Sequence, residues 1–139
     1  MSIENRKARH LYEILETFDA GISLLGWEVK SIRKGSADIS QAYAVIRGEE
    51  AYLLNMHISP YQSQAGIDPV RTRKLLLTKK EIRYLMGKLK EKGVSLILLK
   101  VYFKKGLVKI LLGLAKGKKK WDRREEIKKR EMAREARKH

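Results

Sequence analysis

Apolar and polar residues alternate along much of the chain, and a period of two predicts strands that each bury one face. In "LYEILETF", beginning at Leu11, Tyr12, Ile14 and Phe18 share a face. In "GISLLGWEVKSIR" the alternation runs through Ile22, Leu24, Trp27 and Val29, with a slip at Leu25 and Gly26. A glycine at a phase slip reads as a bulge or a bend. Residues 11–33 are therefore expected to be strand, with Trp27 on the core side. "YAVIRGEEAYLLNM" reads as a hairpin turning at Gly48, and "VSLILLKVYF" with "LVKILLGLA" as a second one joined through Lys104, Lys105 and Gly106. "HISPYQSQAGIDPVRTR" contains both prolines and no periodicity, so it reads as a long loop.

One segment has the helical period instead. In "TKKEIRYLMGKLKEKG", Ile82, Leu85, Met86 and Leu89 form an i, i+3, i+4, i+7 stripe. Thr78 with Glu81 makes a capping box, and Gly93 is expected to close the helix. Strands with one helix before a final hairpin predict a mainly β fold with flanking helices, a closed antiparallel OB-like β-barrel over residues 1–115. A split α+β sheet is the alternative. Residues 116–139 are expected to be a basic C-terminal tail. Their few apolar residues, Ile127 and Met132 among them, make no stripe, although Glu125 with Lys129 and Glu126 with Arg130 are supportive i,i+4 pairs. Such a segment is expected to be disordered alone and helical when bound to a partner.

Charge changes the picture from fold to partner. The 139 residues carry 32 Lys and Arg against 16 Asp and Glu, a net +16. That excess needs a polyanion, either nucleic acid or an acidic membrane surface. It is concentrated in residues 71–92 (9 basic, 2 acidic) and 116–139 (12 basic, 5 acidic), which suggests two electrostatic contacts. No apolar run approaches a spanning helix, "MSIENRKARH" has no signal-peptide core, and there are no cysteines, so no disulfide scaffold or thiolate metal site is available. A cytoplasmic protein without membrane contact is expected.

Candidate chemistry is sparse. His10, His57 and His139 lack metal-ligand spacing, and no metal or cofactor is expected. "GLAKGKK" fails as a phosphate loop, because Gly113 and Gly117 are one residue too close and Lys119 stands where Ser or Thr is required. No nucleophile with its base is visible, so no enzyme is expected. Glu28 sits in an apolar strand pattern: it pairs with Lys30 or another lysine, faces solvent, or accepts from the amino group of an RNA base. Arg71, Arg73, Lys74 and the basic helix face form a candidate phosphate track. Trp121, embedded in "GKKKWDRREEIKKR", suggests base stacking beside phosphate contacts, worth ~1–3 kcal/mol per base. Unpaired bases favour RNA over duplex DNA.

These motifs together resemble the SsrA-binding (small protein B) family of bacterial trans-translation. The resemblance rests on "NRKARH" (residues 5–10), "ETFDAGISLLGWEVKSIRKG" (16–35), "NMHISPY" (55–61), "DPVRTRKLLL" (68–77), "KVYFKKGLVKILLGLAKGKK" (100–119) and "WDRREEIKKR" (121–130). It implies an OB-like barrel that binds the tRNA-like domain of tmRNA and delivers it to the A site of stalled ribosomes, with the tail as a helix in the empty mRNA channel. It further implies a tmRNA surface at Asn5, Lys7, His10, Glu28, Lys30, Arg33, Lys116, Gly117 and Lys118. A decoding-centre and channel contact with small-subunit rRNA would fall on Lys119, Lys120, Trp121, Asp122, Arg123, Arg124, Ile127 and Lys128. Elongation factor Tu would be a partner through the alanyl-tmRNA complex, and the protein would act as a monomer. Arg123 stands where the family usually has lysine, and Trp121 where relatives commonly carry tyrosine or histidine. The rival reading is a general structured-RNA-binding or ribosome-assembly protein.

Overall fold

The computed structural model describes residues 2–60 and 66–117. Every expectation placed on 118–139, including those for Lys118 and Trp121, lies outside the described residues. The described chain runs β1 (Ser2–Glu4), α1 (Arg6–Leu11), β2 (Tyr12–Ile22), α2 (Gly26–Arg33), β3 (Ala37–Asp38), β4 (Tyr43–Arg47), β5 (Glu50–Leu54), β6 (His57–Ile58), β7 (Arg73–Leu76), α3 (Lys79–Lys88), β8 (Val94–Lys104) and β9 (Leu107–Gly117). It is mainly β. Seven strands form one antiparallel sheet in the order β1-β8-β4-β5-β7-β2-β9, and β9 also pairs with β8. The pairings from β8 round to β9 thus close into a ring, with β1 added alongside β8. β3 and β6 make a small separate sheet.

Both expected hairpins are present. Gly48 turns β4 into β5 at φ +62°, and Lys105 and Gly106, at φ 51° and 77°, turn β8 into β9. Two consecutive positive φ values suit a tight turn whose twist matches the strands. α3 begins as expected: Thr78 Oγ1 accepts from Glu81 N (3.2 Å), and Thr78 N donates to the Glu81 carboxylate (3.0 Å). It ends at Lys88, earlier than Gly93, which lies at φ +79° in the turn before β8. Ile82 and Leu85 are buried, whereas Met86 is exposed.

Residues 26–33 correct the strand expectation. Glu28, Ser31 and Ile32 are the buried positions, at i, i+3 and i+4, and the segment is helix α2. What starts the helix is Glu28 reaching back to accept from Leu25 N at 2.7 Å, the half of a capping box that needs no side-chain acceptor at Leu25. Gly26 is the first helical residue and marks no bulge. Trp27 is half-buried and packs on the core, as expected, but from a helix and not from a strand. The proline-containing stretch is not all loop: it holds β6, and its last residue begins β7. β1 and α1 carry no expectation from the period.

The bulges lie elsewhere. Register shifts occur between Ile14 and Glu16 in β2 and between Leu98 and Lys100 in β8. Each switches which face its strand presents to a given apolar cluster. Tyr12 and Ile14 pack with Ala8, Ile97, Leu99 and Ala115 beneath α1, while Phe18, Ala20, Leu96, Leu98 and Val101 belong to the main core. Gly113 serves the same junction: a Cβ there would lie 2.7 Å from Leu99 Cδ1, so only glycine lets Leu99 seat.

Candidate nucleic-acid interface

α2 and β7 are tied by a buried charge cluster. Glu28 is wholly buried, and its Oε1 takes Arg71 Nη2 (2.6 Å) and Leu25 N while Oε2 takes Arg73 Nε (2.6 Å). Arg73 is equally buried and donates onward to Met56 O (2.5 Å) and Pro69 O (3.1 Å). Burial by itself pushes the Glu28 carboxyl up, but hydrogen bonds from Arg71, the Leu25 amide and Arg73 outweigh it, and the group is held below the usual glutamate value. Arg73 is lowered, by burial first, with Glu28 opposing.

This geometry changes two expectations. Glu28 has no exposed surface, and among the described residues its ion-pair partners are arginines, one on each oxygen, with no lysine. Arg73 is an internal clamp and leaves the phosphate track. Sequence could not show this, because Glu28 and Arg73 are 45 residues apart. Arg71, with 35% of its side chain exposed, is the part of the cluster that reaches the surface. Lys74 is exposed against Glu50 at 3.2 Å. Lys79, Lys80, Arg83 and Lys90 stand exposed on and just after α3.

Asn5 is also structural. It caps α1 by accepting from Ala8 N (3.2 Å) and spends both amide hydrogens on Ile39 O (3.2 Å) and Leu98 O (2.9 Å). It thereby pins the helix to β8 and to the link before β4. Lys7 and His10 are exposed on the helix so fixed. Because α1 runs straight into β2, and Tyr12 and Glu13 oppose Gly117 and Lys116, these residues gather at one end of the β2–β9 ladder. Lys116 and Gly117 are exposed and still paired strand, past the expected boundary at 115.

Lys30 and Arg33 are exposed on α2, and the Arg33 guanidinium lies 6.0 Å from the centre of the Phe103 ring. Phe103 opposes Val108, eight residues along β9 from Lys116, roughly 27 Å at ~3.4 Å per residue. The expected residues thus fall into two separated basic groups, with Asn5 and Glu28 as the buried ties that hold their helices.

A strongly basic surface in separated patches on a mainly β framework is what a protein that engages an extended polyanion presents. The SmpB protein family model matches residues 2–139. The chain is 58% identical over 134 residues to an SsrA-binding protein of Pelotomaculum thermopropionicum, covering 95% of this chain and 88% of that one. It is 53% identical to those of Microcystis aeruginosa and Enterococcus faecalis, over 95% of this chain and 88% and 87% of theirs. A solved chain from work described as "tmRNA-SmpB: a journey to the center of the bacterial ribosome" superposes with a TM-score of 0.73 at 53% identity, over 86% of this chain and 85% of that one. The chain belongs to the SmpB family.

Proposed function

We propose that this protein binds the tRNA-like domain of tmRNA and delivers it to the A site of ribosomes stalled without a usable stop codon, an RNA-binding role without catalysis. The observation that carries the reading is its similarity, along nearly its whole length, to proteins named for binding SsrA. The ring of strand pairings supports an OB-like barrel. Two basic groups, one near each end of β9, suit an RNA fold whose phosphates lie on a broad surface. Lys7, His10, Lys116 and Gly117 form one contact and Lys30 and Arg33 the other. Asn5 and Glu28 act by positioning their helices, with Arg71 the outward-facing partner of Glu28.

The tail, through Trp121 and the surrounding Lys119, Lys120, Asp122, Arg123, Arg124, Ile127 and Lys128, orders as a helix in the empty mRNA channel against small-subunit rRNA. Ordering costs roughly 1–2 kcal/mol per residue, so contacts with the channel wall must supply it. A channel filled by message leaves no room, and that makes the ribosome the sensor. Elongation factor Tu joins through the alanyl-tmRNA complex, and the protein acts as a monomer in the cytoplasm. Among the described residues no helix is long and apolar enough to cross a membrane.

The test is tagging in a translation extract programmed with a message lacking a stop codon. Adding this protein with charged tmRNA should yield tagged product, and Trp121→Ala should reduce it while leaving tmRNA affinity nearly unchanged. Equal tagging with and without the protein would overturn the reading.

A further inference from the structure

One cavity, of about 240 Å³, lies at the foot of α1. Its wall includes Asn5, Tyr12, Tyr43, Gln41, Asn55 and Ser95, and none of its lining residues is charged. That is unusual on a chain of net charge +16. A phosphate site would be built from lysine or arginine, and the cations here, Lys7 on α1 and Lys116 opposite Glu13, belong to the elements around the cavity instead.

We propose that this cavity receives one unpaired nucleobase of the bound RNA. The proposal rests on the RNA-binding reading and names the ligand class of a site not included in it. A volume below the roughly 300–1,000 Å³ of drug-sized sites suits a single flat ring system. Tyr12 and Tyr43 put two aromatic rings in the wall, and an aromatic ring can stack on any base because every base has a π-face. Gln41 and Asn55 are exposed amides, each able to donate and to accept, the set needed to read a Watson–Crick edge. Ser40 Oγ already donates to Asp38 (2.7 Å), so it offers only an acceptor. Asn5 has spent its donors on Ile39 and Leu98; its part is to fix the cavity wall. The base would enter while flanking phosphates stay with the surrounding cations.

The test uses the full chain. In amide NMR spectra, adenosine, guanosine, cytidine and uridine 5′-monophosphates are titrated against ribose 5-phosphate, which keeps the sugar and phosphate and lacks the base. At least one nucleotide should shift the side-chain amides of Gln41 or Asn55 saturably, and ribose 5-phosphate should not. Equal shifts from ribose 5-phosphate, or none from any nucleotide, would overturn the proposal. In parallel, Tyr43→Ala, Gln41→Ala and Asn55→Gly are measured against the tRNA-like domain. Glycine accepts the φ of 60° at Asn55, so that variant removes the amide without backbone strain. Tyr43→Ala should weaken binding about fivefold or more, the lower end of a lost stack, with the salt dependence unchanged. Lys7→Ala should instead make the dependence shallower. Wild-type affinity in all three cavity variants would dismiss the cavity and leave the tmRNA reading standing; failure of the unaltered chain to prefer the tRNA-like domain would strike that reading, with the nucleotide titration still deciding the cavity.

Discussion

Replacing Glu28 by glutamine keeps the side-chain volume and removes one negative charge from between two guanidinium groups. In the native protein Arg73 has no exposed surface, and its Nε donates to Glu28 Oε2 at 2.6 Å. Glutamine retains one oxygen, enough for Leu25 N and Arg71, but turns an NH2 toward the Arg73 donor. Arg73 is left buried, charged and facing another donor. Breaking a buried pair from one side costs about 3–5 kcal/mol, a large share of the ~5–15 kcal/mol that holds a domain folded. Arg71→Ala should cost about 1 kcal/mol or less, because Arg71 is 35% exposed and water replaces much of what it loses. The assay is urea unfolding followed by far-ultraviolet circular dichroism and tryptophan fluorescence. The double variant Glu28→Met with Arg73→Met should be less destabilised than the two single losses added, since removing both charges leaves neither unpaired. Recovery should stay partial, because Met56 O and Pro69 O still lose their donor. A loss below 1 kcal/mol for Glu28→Gln, or strict additivity in the double variant, would refute the assignment of Glu28 as the internal tie between α2 and β7.

Three other outcomes are expected. The stabilisation from the lowered Glu28 carboxyl is complete above the unfolded value of about 4.3 and is lost as pH falls through the lower native value, so wild type should lose stability more steeply than Glu28→Gln when urea midpoints are compared between pH 6 and pH 3. Gly113→Ala forces a Cβ to within 2.7 Å of Leu99 Cδ1 and should cost ~1–3 kcal/mol in the same assay, with partial recovery when Leu99→Ala is added. Thr78→Ala removes the acceptor for Glu81 N and should lower stability by about 1 kcal/mol, while Thr78→Ser stays near wild type.

What the sequence discloses follows the range of the interaction responsible. Local signals were sufficient for both hairpins and for the start of α3, where Thr78 and Glu81 cap each other across three residues. They misled at residues 26–33, because Trp27 and Val29 extend an alternation that ends at Ile22, and the signal for helix was the acidic residue three places after Leu25. Gly113 stood out in the sequence only as part of a failed phosphate-loop motif, and the bulge at Leu99 supplies its reason. Site residues divide the same way. Lys7, His10, Lys30, Arg33 and Lys116 are exposed on the surface, as their polar side chains suggest. Asn5, Glu28 and Arg73 looked equally polar, yet partners 34 to 93 residues away hold them inside.

The surface proposed here recognises one RNA shape and does more than attract phosphate. The direct measurement is the affinity of the full chain for the tRNA-like domain of tmRNA and for an ordinary tRNA, each at two salt concentrations. A preference for the tmRNA domain that persists at the higher salt is the predicted result. Equal affinities that fall together, steeply with salt, would contradict the account and leave only counterion-driven binding to structured RNA.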